Sequence, residues 1–251
     1  MKYKITLAFD GSAFSGWQSQ KNAMTVQEEM TRCAKLLFGE YATVTGSSRT
    51  DSGVHALGFV CHITADKELT SKTVVSALNH NLDSHVAVLD CEPVPDDFHA
   101  RYSAISKEYH YVIHNSDIPD PFKNQRAWFY PYPLDAKKMN EYAAEFVGTH
   151  DFTSFMAAGS KISDAVREVY KAEVTRDGQD IVFSVCANGF LYNMVRIMTG
   201  TLIDVARGNI KPTDIDFIIE SKNRRLSGAT APAHGLFLNK VSYINYKGEK
   251  L

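Results

Sequence analysis

No stretch of this sequence approaches the roughly 18 consecutive apolar residues that cross a bilayer as a helix, so no membrane span is expected. Cysteine is scarce. The four present (Cys33, Cys61, Cys91 and Cys186) lie far apart, and none falls in a C-x-x-C pair. Zinc sites need clustered ligands, and secreted disulfide scaffolds are short and cysteine-dense. The expectation is therefore four reduced, mostly buried thiols in a cytoplasmic protein. An excess of one charge is missing too: Lys and Arg total 27 against 29 Asp and Glu, a formal net charge of −2. That excludes a uniformly basic coat for nucleic acid and leaves room for a local basic patch. The small-residue stretch 46–53 lacks G-x-x-x-x-G-K, so a phosphate-cradling P-loop is not expected. Residues 1–10 lack a continuous apolar run and alternate like a strand, unlike a secretory leader.

What is present is globular: 44% hydrophobic and 22% charged residues over 251 positions, enough for one large domain or two small ones. Residues 2–10 place Tyr3, Ile5, Leu7 and Phe9 on one side, a strand pattern. Thr25 with Glu28 fits a capping box, and Val26, Met30, Cys33 and Leu37 continue at helical spacing to Gly39. Residues 41–45 and 54–63 read as strands around a polar loop. Thr70 caps a helix carrying Val74, Ala77 and Leu78, and 86–91 closes with a strand. The order is β-α-β-β-α-β, the ferredoxin-like pattern.

The second half repeats the order without repeating the sequence. Residues 107–113 alternate as a strand, and Asp135 caps a helix through Met139, Tyr142, Ala143 and Phe146 to Gly148. Strands 165–175 and 180–187 flank an Asp-Gly hairpin signal at 177–178. A long helix follows from about 190 to 207, then a shorter one capped by Thr213, then a strand over 236–246. The predicted fold class is α+β. Two ferredoxin-like halves, 1–103 and 104–251, form one extended mixed or antiparallel sheet with helices on one face. Such a sheet suits RNA, although fold alone does not fix function.

The most unusual segment is G-S-S-R-T-D-S-G-V-H-A at 46–56. In an extended stretch Arg49 and Asp51 point to the same side. A nearby guanidinium keeps a carboxylate ionised, and an ionised, positioned carboxylate is a competent nucleophile. Asp-Ser-Gly is also ordinary turn sequence, and the residues alone favour the turn.

The segment R-T-D-S-G-V-H-A (49–56) resembles the R-T-D-x-G-V-H-A signature of the tRNA pseudouridine synthase A family. F-D-G-S-A-F-S-G-W-Q (9–18), V-P-D-D-F-H-A-R (94–101), F-L-Y-N-M-V-R (190–196) and A-P-A-H-G-L-F-L (231–238) are similar to its other motifs, in the family's order. The resemblance implies isomerisation of uridine to pseudouridine in the anticodon stem-loop of tRNA, by a homodimer whose substrate spans both subunits. It implies Asp51 as nucleophile, Arg49 beside the flipped base, Tyr109 stacked on the target uracil, and Arg196 paired with Asp51. Leu236 is implied on the pocket wall, with the C-terminal half completing the cleft. Nothing is oxidised and no water is consumed in this reaction, so no cofactor is expected.

A phenol of pKa about 10 is a poor base near neutrality, so stacking ranks before proton transfer for Tyr109. Without the resemblance, Tyr109 reads as a core residue beside Tyr111 and Ile113, and Arg196 as an exposed helix arginine. The chain departs from the family at Ser48, where Gly is common, at Ser52, where Ala is usual, and at Asn193, where His is frequent. Ser48 raises the question of a left-handed backbone.

Extruding a base costs a few kcal/mol, and phosphate contacts must hold the substrate. Candidate contacts are Arg101, Lys123, Arg126, Arg207, Lys222, Arg224 and Arg225, although the 222–225 run also reads as a solvated helix end. His110 and His114 have i, i+4 spacing, but four residues of strand span about 13 Å, too far to share an ion, so no metal is expected. Two rival readings remain. One is a non-catalytic RNA-binding protein on the same fold. The other is a hydrolase, which needs a second carboxylate such as Asp96 or Asp97.

Overall fold

The computed structural model describes residues 1–159, 164–210 and 214–244. The chain is α+β, with ten strands and five α-helices among the described residues. It divides into two units: Met1–Ile105 together with the strand from Phe237, and Ser106–Leu236.

In the first unit β1 (Lys2–Phe9) alternates strictly, burying Tyr3, Ile5, Leu7 and Phe9. It lies between β3 (His55–Thr64) and β4 (Val86–Val94), antiparallel to both. β2 (Thr43–Gly46) pairs antiparallel with the far end of β3, Thr43 opposite Thr64. The order β4-β1-β3-β2 is the ferredoxin-like arrangement that the element order predicts. Helices α1 (Val26–Phe38) and α2 (Ser71–Asn81) start where the capping residues say. Thr25 Oγ1 accepts from Glu28 N–H and Thr70 Oγ1 from Thr73 N–H, both at 3.3 Å. A threonine cap is worth about 1 kcal/mol. α1 buries Val26, Met30, Cys33 and Ala34, and α2 buries Val74 and Leu78. The near end of β3 takes β10 (Leu236–Tyr243) as a parallel neighbour, Phe237 opposite His55 and Leu238 opposite Ala56.

In the second unit β5 (Ala104–His114) pairs antiparallel with β9 (Asp180–Ala187). β9 pairs with β8 (Val166–Asp177), and β8 with the short β7 (Gly148–Asp151), all antiparallel. β6 (Trp128–Phe129) lies parallel to the end of β5. The β8–β9 hairpin turns over Gly178 and Gln179, with Gly178 at φ +56°, the positive φ that a two-residue loop requires. Asp135 caps α3 (Ala136–Ala143) by accepting from the N–H groups of Lys137 and Lys138 at 3.0 and 3.2 Å. The helix then tightens into a 3-10 turn at Ala144–Phe146. α4 (Met194–Ala206) is buried on most of its surface, as its largely apolar sequence requires. α5 (Asp214–Ser221) follows it.

One expectation is corrected. The long helix starts at Met194, not near 190, because Asn193 adopts φ 59°, ψ 12°, a left-handed conformation through which a right-handed helix does not continue. Phe190 and Leu191 are apolar because they pack, not because they are helical. β6 and β7 were not expected: the first is two residues long, and the second, G-T-H-D, has no apolar alternation to announce it. The expected cap at Thr213 and the strand residues 245–246 lie outside the described residues.

Candidate active site

The loop between β2 and β3 carries Arg49 and Asp51. It is pinned at three backbone points. Ser47 N–H donates to Val60 O at 2.8 Å, Trp17 N–H to Thr50 O at 3.2 Å, and Val54 N–H to Asp51 O at 3.1 Å. Gly16 (φ +87°) lets the preceding segment lie flat against this loop, since a Cβ there would stand 2.4 Å from Thr50 O. Trp17 is buried beneath it, stacked on Phe59 with centroids 4.1 Å apart and pressed against Gly46. A Cβ at Gly11 would stand 2.0 Å from Val54 O, and Gly11 N–H donates to His55 Nδ1 at 3.0 Å. The His55 ring is buried and stacks on Phe237 at 4.6 Å.

The 9–18 motif is therefore the bed on which the 49–56 motif rests, a relation that sequence spacing does not reveal. Arg49 is exposed and Asp51 half-buried. Positive φ in the loop falls on Gly53 (+78°), not on Ser48, so serine there carries no left-handed strain. Ser52 is exposed, with its hydroxyl 3.4 Å from Phe14 O.

In the second unit Tyr109 stands on β5, only 6% exposed, with Phe190 edge-on at 5.1 Å. Tyr111 and Ile113 share its buried face. The Tyr111 hydroxyl donates to Pro232 O at 2.7 Å, and its ring packs so closely on Gly235 that a Cβ there would stand 2.7 Å away. Burial pushes the Tyr111 phenol far up, opposed by the positive charge of Arg196, so this hydroxyl stays protonated. Leu236 is buried where a short turn (Ala233–Gly235) passes into β10.

Arg196 is half-buried in the first turn of α4, not an exposed helix arginine. Its Nε–H donates to Ala231 O and its Nη1–H to Asn193 Oδ1, both at 2.7 Å, while Ala231 N–H returns a bond to Arg196 O at 3.1 Å. The arrangement is locally unfavourable. A cation in the first turn opposes the helix dipole by about 0.3–1 kcal/mol. Asn193 holds a left-handed backbone and makes no side-chain cap bond, forgoing roughly another 1 kcal/mol. Gly16 and Trp17, which pack on the loop, stand in the sequence only as motif letters, and Asn193 only as a departure from the family pattern. The asparagine in place of a frequent histidine was the one available signal.

Of the candidate phosphate contacts, Arg101, Arg126, Arg207 and Arg225 are exposed, Arg101 and Arg207 lying over the rings of Tyr102 and Tyr132 at 5.7 and 5.0 Å. Lys222 is exposed and pairs with Asp151 at 2.7 Å. Lys123 and Arg224 are committed to the protein itself. Lys123 Nζ lies 2.6 and 2.5 Å from the two oxygens of Asp180. Arg224 donates to the carbonyls of Ser227 and Gly228 and to Thr230 Oγ1, and burial lowers its pKa. His110 meets Glu108 at 3.0 Å and His114 meets Asp180 at 2.9 Å. Asp96 and Asp97 are exposed. No helix among the described residues is long and apolar enough to cross a membrane.

Comparison with known proteins adds a consistent result. The sequence model of the family described as "tRNA pseudouridine synthase" matches residues 5–103 and 142–244. The chain is 43% identical to tRNA pseudouridine synthase A of Bacillus licheniformis, over 98% of this chain and 100% of that one. It is 40% identical to the protein of that name from Bacillus subtilis, over 98% and 100%, and 42% identical to that of Ligilactobacillus salivarius, over 100% and 99%. Among solved structures, a chain of "Crystal Structure of a Cbf5-Nop10-Gar1 Complex" gives a TM-score of 0.37 at 13% identity, covering 80% of this chain and 44% of that one. So slight a likeness carries no argument.

Proposed function

The chain belongs to the tRNA pseudouridine synthase family, and from that premise we propose that it isomerises uridine in the anticodon stem-loop of tRNA with Asp51 as the nucleophile. Family membership makes it an isomerase. In the proposed reaction the bond from ribose C1′ to N1 breaks, the uracil turns, and C1′ joins C5. The C5 proton leaves and N1 takes one up, so no oxidant, reductant or water enters the balance. Asp51 holds the substrate by attack at C1′ or C6. The observation that carries the assignment is the loop itself, fixed by three backbone hydrogen bonds with its carboxylate half-buried and a guanidinium two residues away.

The remaining roles follow from chemistry. Arg49 attends the extruded base. Tyr109, its ring braced by Phe190, supplies the stacking surface, and Leu236 an apolar wall. Arg196 keeps the nucleophile ionised. Asp51 and Arg49 belong to the unit formed by Met1–Ile105 and the strand from Phe237, and the other three to the unit Ser106–Leu236. Phosphate contacts are assigned first to the exposed Arg101, Arg126, Arg207 and Arg225. The enzyme works in the cytoplasm as a homodimer on one tRNA, without cofactor or metal.

The test is incubation with an unmodified tRNA transcript, followed by carbodiimide labelling and primer extension. Wild type should give stops in the anticodon stem-loop. Asp51→Asn should bind the transcript and give none. Pseudouridine formation by Asp51→Ala equal to wild type would remove the nucleophile assignment. Stops confined to another arm of the tRNA would remove the anticodon assignment.

A further inference from the structure

We propose that Asn193 is a positioning residue, whose amide oxygen fixes the direction of the Arg196 guanidinium; this rests on the role given to Arg196 above. Asparagine is among the best N-cap residues, and Asn193 occupies the N-cap position of α4, yet its side chain caps nothing. The oxygen that elsewhere satisfies helix N–H groups is turned onto Arg196 Nη1 at 2.7 Å. The left-handed backbone of Asn193 (φ 59°, ψ 12°) accompanies that turn, in a conformation few side chains accept.

The need for such a device follows from electrostatics. The first turn of α4 contains no acidic residue, and the helix N-terminus itself carries about half a positive charge. A guanidinium placed there is repelled by its own helix, and an arginine side chain left alone moves out to water. Ala231 O on Nε and Asn193 Oδ1 on Nη1 grip separate points of one rigid plane. One point fixes a position; two fix an orientation. Ala231 contributes a backbone carbonyl, whereas the Asn193 amide is an acceptor that side-chain substitution removes.

Asn193→Gly separates the amide from the backbone, because glycine accepts the left-handed conformation without strain. Asn193→His restores an acceptor, since histidine tolerates that conformation and its unprotonated ring nitrogen accepts an N–H. Both are compared with wild type and Arg196→Lys by kcat and KM on unmodified tRNA transcript, with unfolding temperature recorded for each. Asn193→Gly should lower kcat about tenfold or more, leave KM within about twofold, and leave the unfolding temperature unchanged or raised. Asn193→His should recover most of the rate. A kcat for Asn193→Gly within about twofold of wild type overturns the proposal, as does a loss that histidine does not restore. If Arg196→Lys is itself fully active, the role given to Arg196 fails instead.

Discussion

Gly200, in the middle of α4, sets helix propensity against packing, and the two predict opposite signs for Gly200→Ala. On an exposed helix the change stabilises by about 1 kcal/mol. Here a Cβ would stand 1.8 Å from Ala229 O and 2.9 Å from its carbonyl carbon, where real Cβ atoms essentially never come within 3.0 Å. From the other side, a Cβ on Gly228 would stand 2.6 Å from the Gly200 carbonyl carbon and the Thr201 nitrogen. Both walls are backbone, so no rotamer change relieves the clash, and the segment must withdraw by more than 1 Å. The same segment holds Gly228 N–H on Thr201 Oγ1 at 2.9 Å and, three residues on, Ala231 O on Arg196. Overpacking of this kind costs about 1–3 kcal/mol, and weakening a buried hydrogen bond about 1 more. After the propensity gain, the net loss is about 2 kcal/mol, a fall of roughly 4–8 °C in unfolding temperature for a chain of this size. Circular dichroism melts of wild type and Gly200→Ala measure it, with kcat expected to fall alongside because the Ala231 anchor moves. An unfolding temperature equal to or above wild type would refute the packing argument.

Two further outcomes follow from the first unit. His62 is buried and its Nδ1 accepts from Ala100 N–H at 3.1 Å; burial first, then the charges of Lys2 and His99, push its pKa down to about 4. The unfolded histidine titrates near 6.5, so between these values the unfolded chain binds the extra proton. This stability contribution is full above pH about 6.5 and is lost as pH falls towards 4, by about 3 kcal/mol. Urea titrations across that range should show the slope and His62→Gln should flatten it; an unchanged slope in the variant rejects the assignment. The thiols supply the second outcome. Burial pushes Cys33 and Cys91 up to about 11 and raises Cys61 and Cys186 as well. Iodoacetamide at pH 8 should leave Cys61 of the native protein unlabelled over the time in which urea-unfolded protein takes up four adducts, read by mass. Native labelling of Cys61 at the unfolded rate would contradict this.

Periodicity made the first unit legible because its elements are regular and locally signed: threonine caps at 25 and 70, and strict alternation in β1. The elements that escaped have no such sign. β7 is a polar tetrapeptide defined by its partner β8, and the start of α4 is set by one left-handed asparagine inside an apolar run. The site divides in the same way. Asp51 and Arg49 stand in a motif, whereas Gly16, Trp17 and Asn193 act through contacts that spacing cannot express. The two-point anchoring of Arg196 joins residues 35 apart in sequence, and no local pattern encodes it.

The chain has two tryptophans, and they fall one to each unit. Trp17 lies buried under the loop that carries Asp51, its own N–H bonded to Thr50 O, while Trp128 sits edge-on to Tyr130 at 5.4 Å. Replacing Trp128 by phenylalanine leaves a single indole emitter, packed against Gly46 at the start of the loop that carries Asp51. Its colour and quenching then register any wetting or displacement of that loop, so substrate engagement becomes an optical signal with no dye attached.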